Sequence, residues 1–309
     1  MDKNSLIYIA DHECSHGSAI KERLETAGYT NLILKKRSEL DLKNPSEVAD
    51  FFKAAKPEYV FLTAGKSGGI MANKTYPADF LLENLEFQIS IIPAAAESGV
   101  KKLLFLGSSC IYPKEAEQPI KENSLFQGDL EETSEATSIA KMAGYGLARA
   151  YSKQFGIKCI TAVPATTYGP GSNFNPEDAH VISALITKFH EAKKNNNPEV
   201  VLWGTGRPLR EFIYLADFAD ACIFLMNNYD DLDLTNIGSG AEVSIKELAT
   251  TIKDIISYKG EIKFDESKPD GAMRKILSSD KINKLGWKSS VGYKEGLQKT
   301  YDWYQKNYG

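Results

Sequence analysis

Cysteine is scarce in this chain: there are four in 309 residues, and Cys14, Cys110, Cys159 and Cys222 stand far apart with no Cys-x-x-Cys pair. That spacing argues against a disulfide framework and against a zinc site. No metal is expected, and a reducing cytoplasm is the expected setting. No apolar run approaches the roughly 18 residues of a membrane span. The opening MDKNSLIYIADHE turns to charged residues too soon for a signal peptide. An excess of one charge is also missing, with 37 Lys and Arg against 41 Asp and Glu and a formal charge of −4. A nucleic-acid surface would need clustered basic residues, so no nucleic-acid partner is expected. There are no internal repeats or low-complexity tracts, and Lys193–Pro198 (KKNNNP) reads as a solvated turn. What remains is ordinary globular composition, 42% hydrophobic and 25% charged. The length suits one large α/β domain or two of about 150 residues.

In the first half, short apolar runs alternate with amphipathic stretches. Ser5–Ala10, Asn31–Lys35, Tyr59–Ala64, Lys102–Gly107 and Lys158–Val163 read as buried strands. Between them, Ser18–Ala27, Ser46–Ala55, about Asp79–Ser98 and about Ser138–Gln154 read as helices, the second capped by Ser46 and the third kinked at Pro93. This rhythm predicts a Rossmann-type, doubly wound parallel sheet, with ligands at the carboxyl ends of its strands. After Pro164 the pattern changes. A Gly/Pro/Asn-rich loop at Tyr168–Pro176 leads to helices near Ala179–Asn195, Asp217–Met226, Ser244–Ile256 and Leu297–Gln305, with a strand at Val200–Trp203. The expected architecture is therefore a sheet domain over residues 1–165 and a smaller C-terminal α/β substrate domain over 166–309, partly interleaved.

Five segments carry more specific information: GGIMANKTYPADF (Gly68–Phe80), KLLFLGSSCIYPK (Lys102–Lys114), AHVISALITKFHEA (Ala179–Ala192), LWGTGRPLREF (Leu202–Phe212) and FDESKPDGAMRK (Phe264–Lys275). On these the chain resembles the GDP-L-fucose synthases, extended short-chain dehydrogenase/reductases, nearly end to end. The resemblance implies a GDP-sugar substrate, NADP(H) as cofactor, and a homodimer formed through long helices of the sheet domain. It also implies a two-part reaction, in which C3 and C5 of a GDP-4-keto-6-deoxymannose are epimerised and C4 is then reduced. Epimerisation beside a ketone needs one group to remove a proton, another to deliver one from the opposite face, and donors to hold the enolate. By resemblance the proton work falls on Cys110 and His180, and Ser108 and Lys141 match the active-site serine and lysine. Arg210 falls where the diphosphate is held, Lys188 where the family has an arginine, and Trp203 where it has a pocket tryptophan. From spacing alone, Cys110 reads as a small buried residue, His180 as a helix-start histidine, Lys141 as a solvated helix lysine and Trp203 as a core aromatic.

Three departures from the family pattern shape the functional expectation. The Gly-x-x-Gly-x-x-Gly turn after the first strand is here Asp11-His12-Glu13-Cys14-Ser15-His16-Gly17, with Gly17 alone retained. Cys14 sets a side chain where backbone should approach the pyrophosphate, and Asp11 and Glu13 set carboxylates beside it. Like charges about 4 Å apart repel by roughly 1–4 kcal/mol. Together these changes predict weak or absent NADPH binding in the usual pose. The Tyr-x-x-x-Lys pair is Thr137-Ser138-Ile139-Ala140-Lys141. Threonine can hydrogen-bond an enolate but is a far poorer proton donor than a phenol of pKa about 10. Thr166 stands where the family carries asparagine. Against these, Lys35, Lys36 and Arg37 end the second strand with no acidic residue there, which suits a 2′-phosphate. Tyr145, which begins a second Tyr-x-x-x-basic pattern with Arg149, reads as coincidence. The expectation is an enzyme that epimerises a GDP-4-keto-6-deoxyhexose through Cys110 and His180, with C4 reduction weak or lost. The alternatives are a complete NADPH-dependent synthase and an inactive sugar-nucleotide-binding or partner subunit.

Overall fold

A parallel sheet covered on both faces explains why the early apolar runs do not alternate with polar residues. The computed structural model describes residues 1–268 and 270–309; Pro269, inside FDESKPDGAMRK, lies outside the described residues. The first half runs β1 (Ile7–Ala10), α1 (Ser15–Thr26), β2 (Leu32–Ile33), α2 (Pro45–Ala55), β3 (Tyr59–Leu62), α3 (Ile70–Thr75), α4 (Pro77–Glu97), β4 (Lys102–Leu106), α5 (Glu135–Phe155) and β5 (Lys158–Pro164). All four residues of β1 and all five of β4 are buried. Helix α1 packs on α7 (Leu215–Asn228), while α2, α4 and α5 pack side by side, so the two groups clothe the two faces.

The remaining elements are β6 (Thr166–Tyr168), α6 (Val181–Lys194), β7 (Glu199–Trp203), β8 (Leu209–Tyr214), α7, β9 (Thr235–Ile237), β10 (Glu242–Ser244), α8 (Ile245–Ile256), β11 (Glu261–Asp265), β12 (Arg274–Lys275), α9 (Asp280–Lys284) and α10 (Tyr293–Tyr308). The large sheet has the order β2-β1-β3-β4-β5-β9 and is parallel throughout. Its sixth strand and the helix α7 come from the second half of the chain, so the two parts interleave. A second apolar core, including Phe174, Ile186, Phe189, Leu248, Ile252 and Tyr301, lies among α6, α8 and α10. Smaller sheets join β8 to β10, β12 and β6, and β7 to β11. Among the described residues no helix is long and apolar enough to cross a membrane.

Local chemistry moved several boundaries from their expected places. The cap of α2 is Asn44, not Ser46: its side chain accepts from the N–H groups of Ser46 and Glu47, and Pro45 follows at the first helical position. Helix α1 begins at Ser15 because Cys14 caps it. Ser244 caps α8 in a reciprocal box with Glu247, which agrees with the expected start. The chain order reverses between β1 and β3, so the crevice for a ligand opens where the loops after β1, β3, β4 and β5 converge.

Candidate active site

The loop after β1 forms one wall of that crevice. Asp11 adopts φ 71°, a left-handed conformation that favours glycine. Its buried carboxylate accepts two hydrogen bonds from Arg37, from Nε at 3.1 Å and Nη2 at 2.6 Å. The Arg37 backbone N–H donates to Glu13 Oε2 at 3.3 Å. Cys14 Sγ accepts from the Gly17 N–H at 3.3 Å and sits 3.9 Å from the Thr63 carbonyl. Burial, with Asp11 adding, pushes the Cys14 thiol up to about 11, so it stays protonated at neutral pH. Gly17 cannot be replaced cheaply, since a Cβ there would stand 2.2 Å from the Asp11 carbonyl oxygen. This is the close strand–helix packing that the last glycine of such a turn allows.

His16 also faces the crevice, 2.9 Å from Thr167 Oγ1 and edge-on to Phe218. Burial lowers its pKa from the ordinary 6.5 to about 4, with Lys141 and His180 acting in the same direction. In the unfolded chain the imidazole takes a proton near pH 6.5 that the folded chain refuses until about pH 4. Stability is therefore fully present above 6.5 and is lost as pH falls through that window. Urea unfolding at pH 7 and pH 5 is expected to show His16→Gln losing about 2 kcal/mol less than the parent chain across that interval. Equal losses in the two proteins would contradict the assignment.

The opposite wall starts at the end of β4. Ser108 Oγ accepts from the Cys110 N–H at 3.4 Å, and Ser138 of α5 donates to the Cys110 carbonyl at 2.8 Å. Cys110 is therefore held at the foot of α5, where Thr137 and Lys141 share one helix face. Lys141 Nζ is buried, donates to the Leu106 carbonyl at 3.0 Å and lies over the Phe105 ring. Burial lowers its pKa to about 8, with Cys110 and Cys14 close enough to oppose the shift. The Thr137 hydroxyl donates to Asn73 Oδ1 at 2.6 Å, so its one proton is not directed at a substrate. Asn73 in turn donates to the Gly68 and Gly69 carbonyls. Tyr145 bonds Arg149 Nη1 at 3.2 Å, and the Tyr112 hydroxyl donates to Asn236.

Helix α3 joins α5 to the segment that carries His180. The Gly69 N–H donates to the Asp178 carbonyl at 2.8 Å, and a Cβ on Gly69 would stand 2.8 Å from the Ala179 oxygen. His180 is the N-cap of α6. The residue is exposed at the surface, yet desolvation by the surrounding protein lowers its pKa, with Asp178 opposing the shift. Beyond it, Arg210 on β8 lies in register with Lys275 on β12. Burial lowers the pKa of Lys275, an effect that Cys110 opposes and Arg210 reinforces, so these groups share one electrostatic neighbourhood. Asp270 accepts from Thr205 N at 2.9 Å and Oγ1 at 2.6 Å, and a Cβ on Gly271 would stand 3.2 Å from Arg210 Nη2. Lys188 donates to the Val201 carbonyl at 2.5 Å. Trp203 is 66% exposed, which removes the core-aromatic reading, and Lys268 Nζ lies 5.8 Å from the centre of its ring.

The end of β4 and the face of α5 thus bring Ser108, Cys110 and Lys141 together, and His16 lies within electrostatic reach of Lys141 and His180, with Thr137 turned to Asn73 and Arg37 turned to Asp11. Arg210, Trp203 and Lys188 flank the second half. Sequence reasoning did not single out Asn73, His16 or Lys275. Each lies in a segment that drew notice for other reasons: Asn73 in GGIMANKTYPADF, His16 in the turn after β1 and Lys275 in FDESKPDGAMRK. Among the described residues no His, Cys, Asp and Glu cluster is arranged to hold a metal ion.

Known proteins resemble this chain in sequence and fold. Residues 9–238 match the NAD dependent epimerase/dehydratase family. The chain is 51% identical over 306 residues to GDP-L-fucose synthase 1 of Arabidopsis thaliana, covering 99% of this chain and 95% of that one. With the GDP-L-fucose synthase of Escherichia coli (strain K12) it shares 45% identity over 310 residues, 97% of each chain. The GDP-mannoheptose C4 reductase from Campylobacter jejuni, solved with NADP bound, superposes with a TM-score of 0.91 at 41% identity, covering 99% of each chain. The chain belongs to the NAD dependent epimerase/dehydratase family, in its GDP-L-fucose synthase branch.

Proposed function

We propose that the protein modifies a GDP-sugar, and that it epimerises C3 and C5 of a GDP-4-keto-6-deoxyhexose with little or no reduction at C4. The observation that carries this reading is the environment of Lys141. A buried lysine has no phenol four residues before it, and the threonine there is bonded to Asn73. The C–H bonds beside a ketone are acidic enough for a positioned base to break, with the electron pair passing into an enolate. In this reading Cys110 and His180 exchange the proton from opposite faces. The Ser108 hydroxyl donates to the enolate oxygen, and the positive groups at Lys141 and Lys275 face the developing charge. Residues 166–309 supply the sugar-nucleotide side, with Arg210 and Lys188 toward the diphosphate and Trp203 as a stacking face.

The loop after β1 speaks against a dinucleotide in the usual pose. The groups that should receive a pyrophosphate and a 2′-phosphate are already bonded to Asp11, Glu13 and Cys14. A second reading, the complete NADPH-dependent synthase, is favoured by the names of the relatives and by the NADP in the Campylobacter reductase. None of those comparisons speaks for a weakened reduction. Mass spectrometry of GDP-4-keto-6-deoxymannose recovered from deuterium oxide tests the first reading: deuterium gained at C3 and C5 without coenzyme supports it, and no gain contradicts it. The same reading takes the chain as a homodimer through α4 and α5, whose outer faces expose Leu82, Ile89 and Ile139. Sedimentation should give a two-chain particle, and a monomer would contradict that part.

A further inference from the structure

We propose that Asp11 is a specificity-determining residue that keeps a phosphorylated dinucleotide out of the crevice, by supplying from within the anion that Arg37 would otherwise take from the coenzyme. The inference deepens the reading above and rests on its assignment of the loop after β1 as the former dinucleotide turn.

Three observations carry it. The first is the geometry of the pair. The Asp11 carboxylate is 1% exposed and receives both Nε and Nη2 of Arg37, the two-pronged contact by which a guanidinium binds a phosphate. Arg37 follows β2, where a basic residue would meet the 2′-phosphate of NADP. The second is the cost of exchange. The Arg37 side chain is 58% exposed and free to meet solvent, but the Asp11 carboxylate is 1% exposed, so a phosphate that recruited Arg37 would leave a buried charge without its counter-ion. The third is the backbone. Asp11 is held at φ 71°, and a side chain other than glycine persists there when the surrounding contacts fix it. The helix terminus beside it is closed in the same manner. The Gly17 N–H, one of the donors that a helix N-terminus offers to an anion, is taken by Cys14 Sγ. Glu13, bonded to the Arg37 N–H, adds a second carboxylate where an anion would arrive.

The test is NADPH titration, by calorimetry and nicotinamide fluorescence, of the parent chain, Asp11→Gly, Asp11→Asn, and each variant combined with Arg37→Gln. Glycine suits φ 71° and asparagine tolerates it, so at least one variant retains the fold. Removing the carboxylate is expected to tighten NADPH binding at least tenfold in both single variants. Adding Arg37→Gln is expected to abolish the gain. If the parent chain binds NADPH as tightly as the single variants, or if the gain survives Arg37→Gln, the proposal is overturned. Neither outcome touches coenzyme-free deuterium incorporation by the parent chain, which reports on the epimerase reading separately.

Discussion

Cys110→Ala is expected to slow deuterium incorporation into GDP-4-keto-6-deoxymannose by about 100- to 10,000-fold, the range in which a positioned acid or base contributes. His180→Gln should fall in the same range. In the proposed mechanism one residue removes a proton and the other delivers a solvent-derived one to the opposite face of the same enolate, so the double variant should be little worse than the poorer single variant. Cys110 is packed in the large apolar core, but truncating it to alanine removes a single sulfur atom. Cys110 is fixed through its backbone, by Ser108 Oγ on its N–H and Ser138 Oγ on its carbonyl. His180 caps α6 without a side-chain hydrogen bond to the helix. Exchange rates measured by NMR on folded variants check the prediction. A Cys110→Ala protein that exchanges within threefold of the parent would remove Cys110 from the mechanism and return it to the role of a small buried residue.

The second large effect is on stability. Asp217, in the first turn of α7 and 4% exposed, accepts from Ser289 Oγ at 2.9 Å, Ser290 N at 3.0 Å, Ser290 Oγ at 2.8 Å and Val291 N at 2.9 Å. This carboxylate fastens the segment leading into α10 to a helix that covers the large sheet. Asp217→Ala leaves four donors without their acceptor, and unsatisfied partially buried groups cost about 1–3 kcal/mol each before water returns to some of them. A net loss of about 3 kcal/mol is expected in urea unfolding, roughly the upper end of ordinary single substitutions. Asp217→Asn should lose less, because it keeps an acceptor. A loss below about 0.5 kcal/mol for the alanine variant would show that the segment is held elsewhere.

The parts of the fold that could be read from the sequence were those with a local cause. Buried parallel strands leave continuous apolar runs: β1, β3 and β4 fall inside the expected segments, and β5 runs one residue past its own, to Pro164. What escaped depends on distant partners. Strand β9 is three residues long and becomes a strand by pairing with β5, and α3 is a six-residue helix separated from α4 by Tyr76 alone. The start of α1 was misjudged because a thiol is not among the usual caps, yet Cys14 accepts from Gly17.

The candidate site divides in the same way. Cys110, His180, Ser108 and Lys141 came from resembling segments, not from periodicity. The two contacts that most affect the functional reading had no local trace. Asp11 and Arg37 lie 26 residues apart, and Thr137 and Asn73 lie 64 apart. Arg37 alone looked like a phosphate-binding residue, and only the folded chain brings it to Asp11. Trp203 could equally have been core or surface, since its type does not decide between them and its exposure does.

The proposed function has this chain exchange protons on a keto-sugar without transferring a hydride. The most direct test is one sample of the pure protein with GDP-4-keto-6-deoxymannose and NADPH in deuterium oxide, in which incorporation at C3 and C5 and loss of NADPH absorbance are followed together. The account predicts incorporation at both carbons at least a hundredfold faster than NADPH is consumed. Coenzyme consumed mole for mole with the sugar, at the rate of exchange, would contradict it.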